Sequence, residues 1–140
     1  MSPDIQIAID ADDPHELNRF WAAVMDYAIE DHRDQVTQVL DAGYASVDDT
    51  VEIDGRRAWK TAAACRPRTG PGSRLLFQHV PEAKSAKNRV HLDLHVGAGN
   101  RDTEVERVIA LGTTRLWDGQ QGSHTLVTLA DPEGNEFCVA

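Results

Sequence analysis

A chain of 140 residues, 41% hydrophobic and 26% charged, fits one folded domain with a real core and excludes a fibrous or disordered protein. Its net charge of −9, with no basic run longer than Arg56-Arg57, excludes the positive footprint that nucleic acid needs and suits a cationic or amine-bearing small molecule better. No apolar run is long enough to span a bilayer, and Met1-Ser2-Pro3-Asp4 has none of the marks of a signal peptide, so no membrane partner and a cytoplasmic location are expected.

Ile5-Gln6-Ile7-Ala8-Ile9-Asp10 alternates and predicts a strand, with Ile5, Ile7 and Ile9 on one face and Gln6, Ala8 and Asp10 on the other. Asp13 then suits a helix cap, Pro14 the first helical position, and Glu16 the capping-box spacing. Leu17, Phe20, Trp21, Val24 and Met25 follow as an amphipathic stripe, with Phe20 and Trp21 read as core. Residues 27–30 predict a short strand, and Val36, Val39 and Leu40 a brief helix over 33–42 closed by Gly43. Residues 46–55 read as a loop with an extended piece at 50–53 and a turn at Asp54-Gly55. One strand is expected over 58–65, supported by Trp59 and Thr61. A loop at 67–72 precedes a strand over 75–80, with Leu76, Gln78 and Val80 sharing a face. Residues 81–88 read as a linker between two halves.

Arg89-Val90-His91-Leu92-Asp93-Leu94-His95-Val96 alternates strictly. Val90, Leu92, Leu94 and Val96 take one side, and His91, Asp93 and His95 the other. A helix is predicted over 102–111, with the stripe Val105, Val108, Ile109 and Leu111 and a stop at Gly112. Strands over 113–117 and 124–130 flank a turn at 118–122. Asp131-Pro132-Glu133-Gly134-Asn135 is a tight turn. In the last strand, 136–139, Phe137 and Val139 face one way, Glu136 and Cys138 the other. Cys65 and Cys138, the only cysteines, have no zinc-finger spacing and read as small buried thiols.

Each half therefore reads as strand, helix, strand, strand, strand, an α+β repeat with module one at 1–80, a linker at 81–88 and module two at 89–140. Gln6 and His91 take the same place in their modules, as do Gln78 and Cys138. If the helices cover Ile5/Ile7/Ile9 and Val90/Leu92/Leu94, the opposite faces are left to line a shared, polar-based cavity. Trp59 and Trp117, on strands, either pack in the core or stack a planar ligand there. His91, Asp93 and His95, with Glu136 and Asp10 as candidate neighbours, hold metal-binding and proton-transfer chemistry, and Asp93 could equally orient a histidine by hydrogen bonding.

Four stretches carry a resemblance. They are Asp13-Pro14 with Phe20-Trp21, Leu76-Phe77-Gln78, the run from Pro81-Glu82 through Lys87-Asn88-Arg89-Val90-His91-Leu92-Asp93, and Asp131-Pro132-Glu133-Gly134-Asn135-Glu136-Phe137-Cys138. With these the chain resembles the vicinal oxygen chelate superfamily, and within it the glyoxalase-like and bleomycin-resistance-like domains. The resemblance implies two βαβββ modules forming a curved, barrel-like open cavity, often in homodimers. It is silent on the longer segment 33–57.

In metal-dependent members, four side chains from the first, fourth, fifth and eighth strands hold a divalent ion. The resemblance places these on Gln6, Gln78, His91 and Cys138, a set without a carboxylate. His91 and Gln6 are the candidate metal ligands that remain. The function implied is a glyoxalase-like small-molecule-binding protein without the usual metal centre. One alternative is a metal-dependent lyase or isomerase of the lactoylglutathione lyase type, with Glu136 or Asp93 as base. Others are an antibiotic-sequestering binder of the resistance type and a metal-free enzyme using His91 and Asp93 as an acid–base pair.

Overall fold

The computed structural model describes residues 1–140, which divide into two compact units, Met1–Pro81 and Glu82–Ala140. The first runs β1 (Gln6–Ala11), α1 (Pro14–Met25), β2 (Tyr27–Ile29), α2 (Arg33–Asp41), a short 3-10 helix (Val47–Asp49), β3 (Thr50–Ile53), β4 (Arg56–Trp59), β5 (Ala62–Pro67) and β6 (Arg74–His79). Its main sheet has the order β1-β6-β5-β2, with β1 parallel to β6 and the other pairs antiparallel.

Helix α1 starts where local chemistry dictates: the Asp13 carboxylate accepts the Glu16 N–H at 3.1 Å, and Pro14 occupies the first turn. Its apolar stripe packs on β5 and β6, burying Leu17, Phe20, Trp21 and Val24 with Leu75 and Phe77. Phe20 and Trp21 meet edge to face at 5.6 Å. The expected core role of both rings holds.

Two expectations fail in this unit. Residues 58–65 do not form one strand. β4 pairs only with β3, while β5 joins the main sheet. Asp54 and Gly55 both take left-handed backbone, φ 51 and 75, the requirement of a two-residue hairpin turn. That tight hairpin carries β4 away, and the chain must break at Lys60-Thr61 to return. Ile5 lies outside β1 and is 69% exposed, because α1 covers β5 and β6 more than the edge strand.

The second unit runs β7 (Asp93–Leu94), α3 (Arg101–Ala110), β8 (Thr114–Gln121), β9 (His124–Ala130) and β10 (Glu136–Val139). Its sheet order, β7-β10-β9-β8, repeats that of the first unit, again with the first and last strands parallel. α3 buries Val105 and Val108, and the sheet buries Val127, Leu129, Phe137 and Val139. No helix in either unit is long and apolar enough to cross a membrane.

Here the central strand is shorter than its alternation predicts. Regular pairing covers Asp93 and Leu94 alone, although single bonds continue it: Cys138 N–H to Leu92 C=O, Ala140 N–H to Leu94 C=O, and Val96 N–H to Ala140 C=O. An edge strand has one neighbour, so its pairing ends where β10 ends. Val90 lies beyond that point and is 83% exposed, not covered by a helix. The predicted turn at 118–122 is instead strand. β8 runs to Gln121 and the hairpin turns at Gly122-Ser123, with a bulge between Arg115 and Trp117.

The Asp131 turn is built as expected, with Asp131 itself buried. One carboxylate oxygen accepts the N–H groups of Glu133 and Asn135 at 2.9 and 3.0 Å, and the other accepts Asn135 Nδ2 at 2.9 Å. Asp131→Ala leaves those donors unpaired and is expected to lower stability by about 2–3 kcal/mol in urea unfolding.

Candidate functional site

Sheet register decides which side chains of the second unit share a face. Trp117 stands opposite Thr128, Thr128 opposite Cys138, and Cys138 opposite Asp93. These four form one row across the sheet, spanning roughly 14 Å at the usual strand spacing. His91, two residues before Asp93, falls on the same side. The opposite face carries the buried Val127 and Val139. One side of the sheet is thus apolar core, and the other carries the buried Thr128 and Cys138 between the exposed Trp117 and Asp93.

Within that row His91 Nδ1 lies 3.2 Å from Asp93 Oδ1, and both residues are exposed. Cys138 is buried, and its sulfur shares a hydrogen bond with Thr128 Oγ1 at 3.4 Å. Burial pushes the Cys138 thiol up, and the Asp93 carboxylate adds to that push against the Thr128 hydrogen bond. His91, Asp93 and Cys138 each offer a donor atom, all within 4.8 Å of one another. His95 is exposed one step further along. Trp117 is 49% exposed at the far end of the row.

Glu136 is occupied otherwise. Its carboxylate accepts the Asn88 N–H at 2.9 Å and the Lys84 ammonium at 3.1 Å. The Asn88 bond, opposed by burial and aided by Lys84, holds its carboxyl below the ordinary value. It ties down the segment ahead of β7. Accepting a proton would mean giving up those two donors.

The first-unit candidates are arranged differently. Gln6 Oε1 accepts Arg74 Nη1 at 2.6 Å. Arg74 in turn donates to Glu30 through Nε at 2.6 Å and Nη2 at 3.0 Å, and Glu30 also pairs with Arg66 at 2.9 Å and His32 at 2.8 Å. Burial pushes the Glu30 carboxyl up, but the bonds from Arg74, His32 and Arg66 outweigh it and hold the group at about 2. No sequence signal marks this network: Glu30, just past β2, meets Arg66 of β5 and Arg74 of β6, which are 36 and 44 residues away. Gln78 is exposed opposite Asp10. Trp59 serves the inserted segment, its indole donating to Gln35 Oε1 at 3.2 Å and its carbonyl meeting His15 Nε2 at 2.7 Å.

The register also corrects one correspondence between the halves. Gln6 stands opposite Arg74 and Gln78 opposite Asp10, whereas Cys138 stands opposite Asp93, two residues from His91. If Gln6 matches His91, the partner of Cys138 is Leu76, opposite Ala8, and not Gln78. Alternation alone cannot distinguish Leu76 from Gln78, because both share the same parity.

A four-ligand divalent centre fits these residues poorly. Gln6 and Gln78 stand about 13 Å apart along their strands. The Gln6 oxygen is already held by a guanidinium, whose charge repels a cation. Neither supplies a negative charge.

Two open sheets of identical strand order, each led by a strand parallel to its last, make this a paired-βαβββ α+β protein, the architecture of the vicinal oxygen chelate superfamily. Residues 6–140 match the glyoxalase-like domain family, and the chain belongs to that family. No curated relative matches the sequence.

Solved structures agree in fold. Fosfomycin resistance protein FosX from Mesorhizobium loti is similar at a TM-score of 0.65 and 12% identity, over 99% of this chain and 90% of that one. A glyoxalase/bleomycin resistance protein/dioxygenase family enzyme from Burkholderia phytofirmans is similar at 0.62 and 15%, over 96% and 94%. A FosX variant from Listeria monocytogenes, complexed with Mn(II) and a dihydroxypropylphosphonic acid, is similar at 0.64 and 11%, over 99% and 89%.

Proposed function

We infer that this protein binds a small molecule without the four-ligand divalent centre of its metal-dependent relatives. The observation that carries the reading is the Gln6–Arg74 hydrogen bond at 2.6 Å, which commits the first-strand ligand position to a cation. What remains on the second-unit sheet is a recognition surface: a half-exposed indole at Trp117 and, about 14 Å away, the His91–Asp93 pair. A planar ligand bearing a cationic or hydrogen-bond-donating group suits both ends, and the protein's net charge of −9 favours its approach.

The test is thermal stabilisation by a library of planar and amine-bearing compounds, run beside Mn2+ alone. The expected result is a compound whose stabilisation falls roughly tenfold in apparent affinity in His91→Ala, the loss of one charge-assisted bond, with no effect of Mn2+. Stoichiometric Mn2+ binding that disappears in Gln6→Ala would overturn the reading.

A further inference from the structure

Residues 55–81 carry six of the chain's 14 basic residues, Arg56, Arg57, Lys60, Arg66, Arg68 and Arg74, and none of its 23 acidic ones. In a chain of net charge −9 this is a local positive island, and the second-unit surface does not use it. Three of the six, Arg66, Arg68 and Arg74, line an open cleft of about 910 Å3 where the β5–β6 hairpin turns. We propose that this cleft binds the phosphate group of a small organic phosphate, held by the Arg66 and Arg68 guanidiniums.

Arg74 is committed to the frame, with Nε and Nη2 on Glu30 and Nη1 on Gln6. Arg66 and Arg68 are not. Each hydrogen-bonds through Nε alone, to Glu30 at 2.9 Å and to Asp26 at 3.2 Å. Their Nη edges are left for an anion, and their side chains are 58% and 61% exposed. Glu30 is one carboxylate shared by Arg66 and Arg74, so that pair keeps a positive charge in excess. Asp26 is 89% exposed, and so solvated an ion pair yields readily to a stronger partner. Asp4, the one carboxylate among the lining residues, is exposed as well.

The loop between the two strands frames the cleft. At Gly72 (φ 148) a Cβ would meet Pro67 Cγ at 2.6 Å and Tyr27 Oη at 2.9 Å, so the chain folds tightly onto the end of β5 and only glycine fits. Thr69 and Ser73 of that loop line the cleft with their hydroxyls, beside Pro67 and the exposed Ile5. Tetrahedral phosphate, with three acceptor oxygens, takes forked bonds from two guanidiniums at once, whereas the two oxygens of a carboxylate fill one fork. The apolar Ile5 and Pro67 suit an organic ester body better than the bare ion. The net charge of the chain opposes an incoming anion, but at 0.15 M salt that field is screened over about 8 Å, and the guanidiniums decide at contact. Neither Gln78 nor any residue of the second unit takes part.

The experiment titrates the full chain with phenyl phosphate, followed by amide NMR and by thermal stabilisation. Saturable binding is expected, with the largest amide shifts at Thr69, Gly70 and Ser73, and benzoate should bind roughly tenfold more weakly. Arg68→Ala removes an exposed side chain that has no bond to Glu30, so the fold stays intact. It should weaken phenyl phosphate roughly tenfold, the loss of one charge-assisted fork. Arg115→Ala, which removes a half-exposed arginine of the second unit paired with Asp118 at 2.7 Å, should leave binding unchanged. No saturable binding, full affinity in Arg68→Ala, or an equal loss in Arg115→Ala overturns the inference. Benzoate binding as tightly as phenyl phosphate overturns it too, as do shifts centred on His91 and Asp93, which would put the ligand on the second-unit surface.

Discussion

Phe137→Ala is expected to cost about 3–5 kcal/mol, the largest effect of any single truncation in the second unit. The ring is 1% exposed and stands opposite Leu129 on β9, itself fully buried, as is Val108 of α3. Removing it opens a cavity where the helix meets the sheet, and so small a unit has little other apolar volume with which to collapse onto it. The consequence reaches the polar face, because Phe137 and Cys138 are adjacent and point to opposite sides of β10. Urea unfolding followed by tryptophan fluorescence at Trp117 should show the loss. Phe137→Leu should recover more than half of it.

The second large effect lies at Glu30. Its side chain is 11% exposed and that of Arg74 29%, so Glu30→Gln leaves a guanidinium partly desolvated without its counter-charge. The pH dependence follows from the direction of the shift. Glu30 is held at about 2 in the folded protein, below its value in the unfolded chain, so the unfolded state binds the proton first as acid is added. The stabilisation is fully present above the ordinary carboxylate range and is lost as pH falls from there toward about 2. Arg66, 58% exposed, is screened by water and weakens the pair. The discounted contribution is about 2 kcal/mol. The wild type should therefore lose about 2 kcal/mol more than Glu30→Gln between roughly pH 5 and pH 2, read from urea midpoints at each pH. Equal slopes for the two proteins would show that the network contributes nothing.

Much of the fold was legible because it rests on local chemistry. The α1 cap at Asp13 and Pro14, the stripe through Leu17, Phe20 and Trp21, the hairpin turn at Asp54-Gly55 and the turn at Asp131 are each dictated by neighbours within a few residues. The failures are of another kind. Residues 58–65 alternate plausibly as one strand, yet which partner each end pairs with is decided by residues far away. The same holds for residues 89–96, whose pattern predicts eight paired residues, while β10 offers pairing to only a few of them.

The candidate site shows the same division. His91 and Asp93 were visible together because they are two residues apart on one strand. Cys138 joins them through a parallel register that no spacing records. Gln6 looked like a free donor in the sequence, and its capture by Arg74 depends on a pairing 68 residues distant. The Glu30 network, which gives no local sign, is what makes Arg74 available for that capture.

The short pairing of β7 has one more consequence. Its outward side chains are anchored by a single neighbour, whereas the sulfur beside them belongs to a strand bonded on both flanks. Substitutions at positions 91, 93 and 95 therefore disturb little beneath them, and this rim can change its chemistry while the framework under it stays as it is.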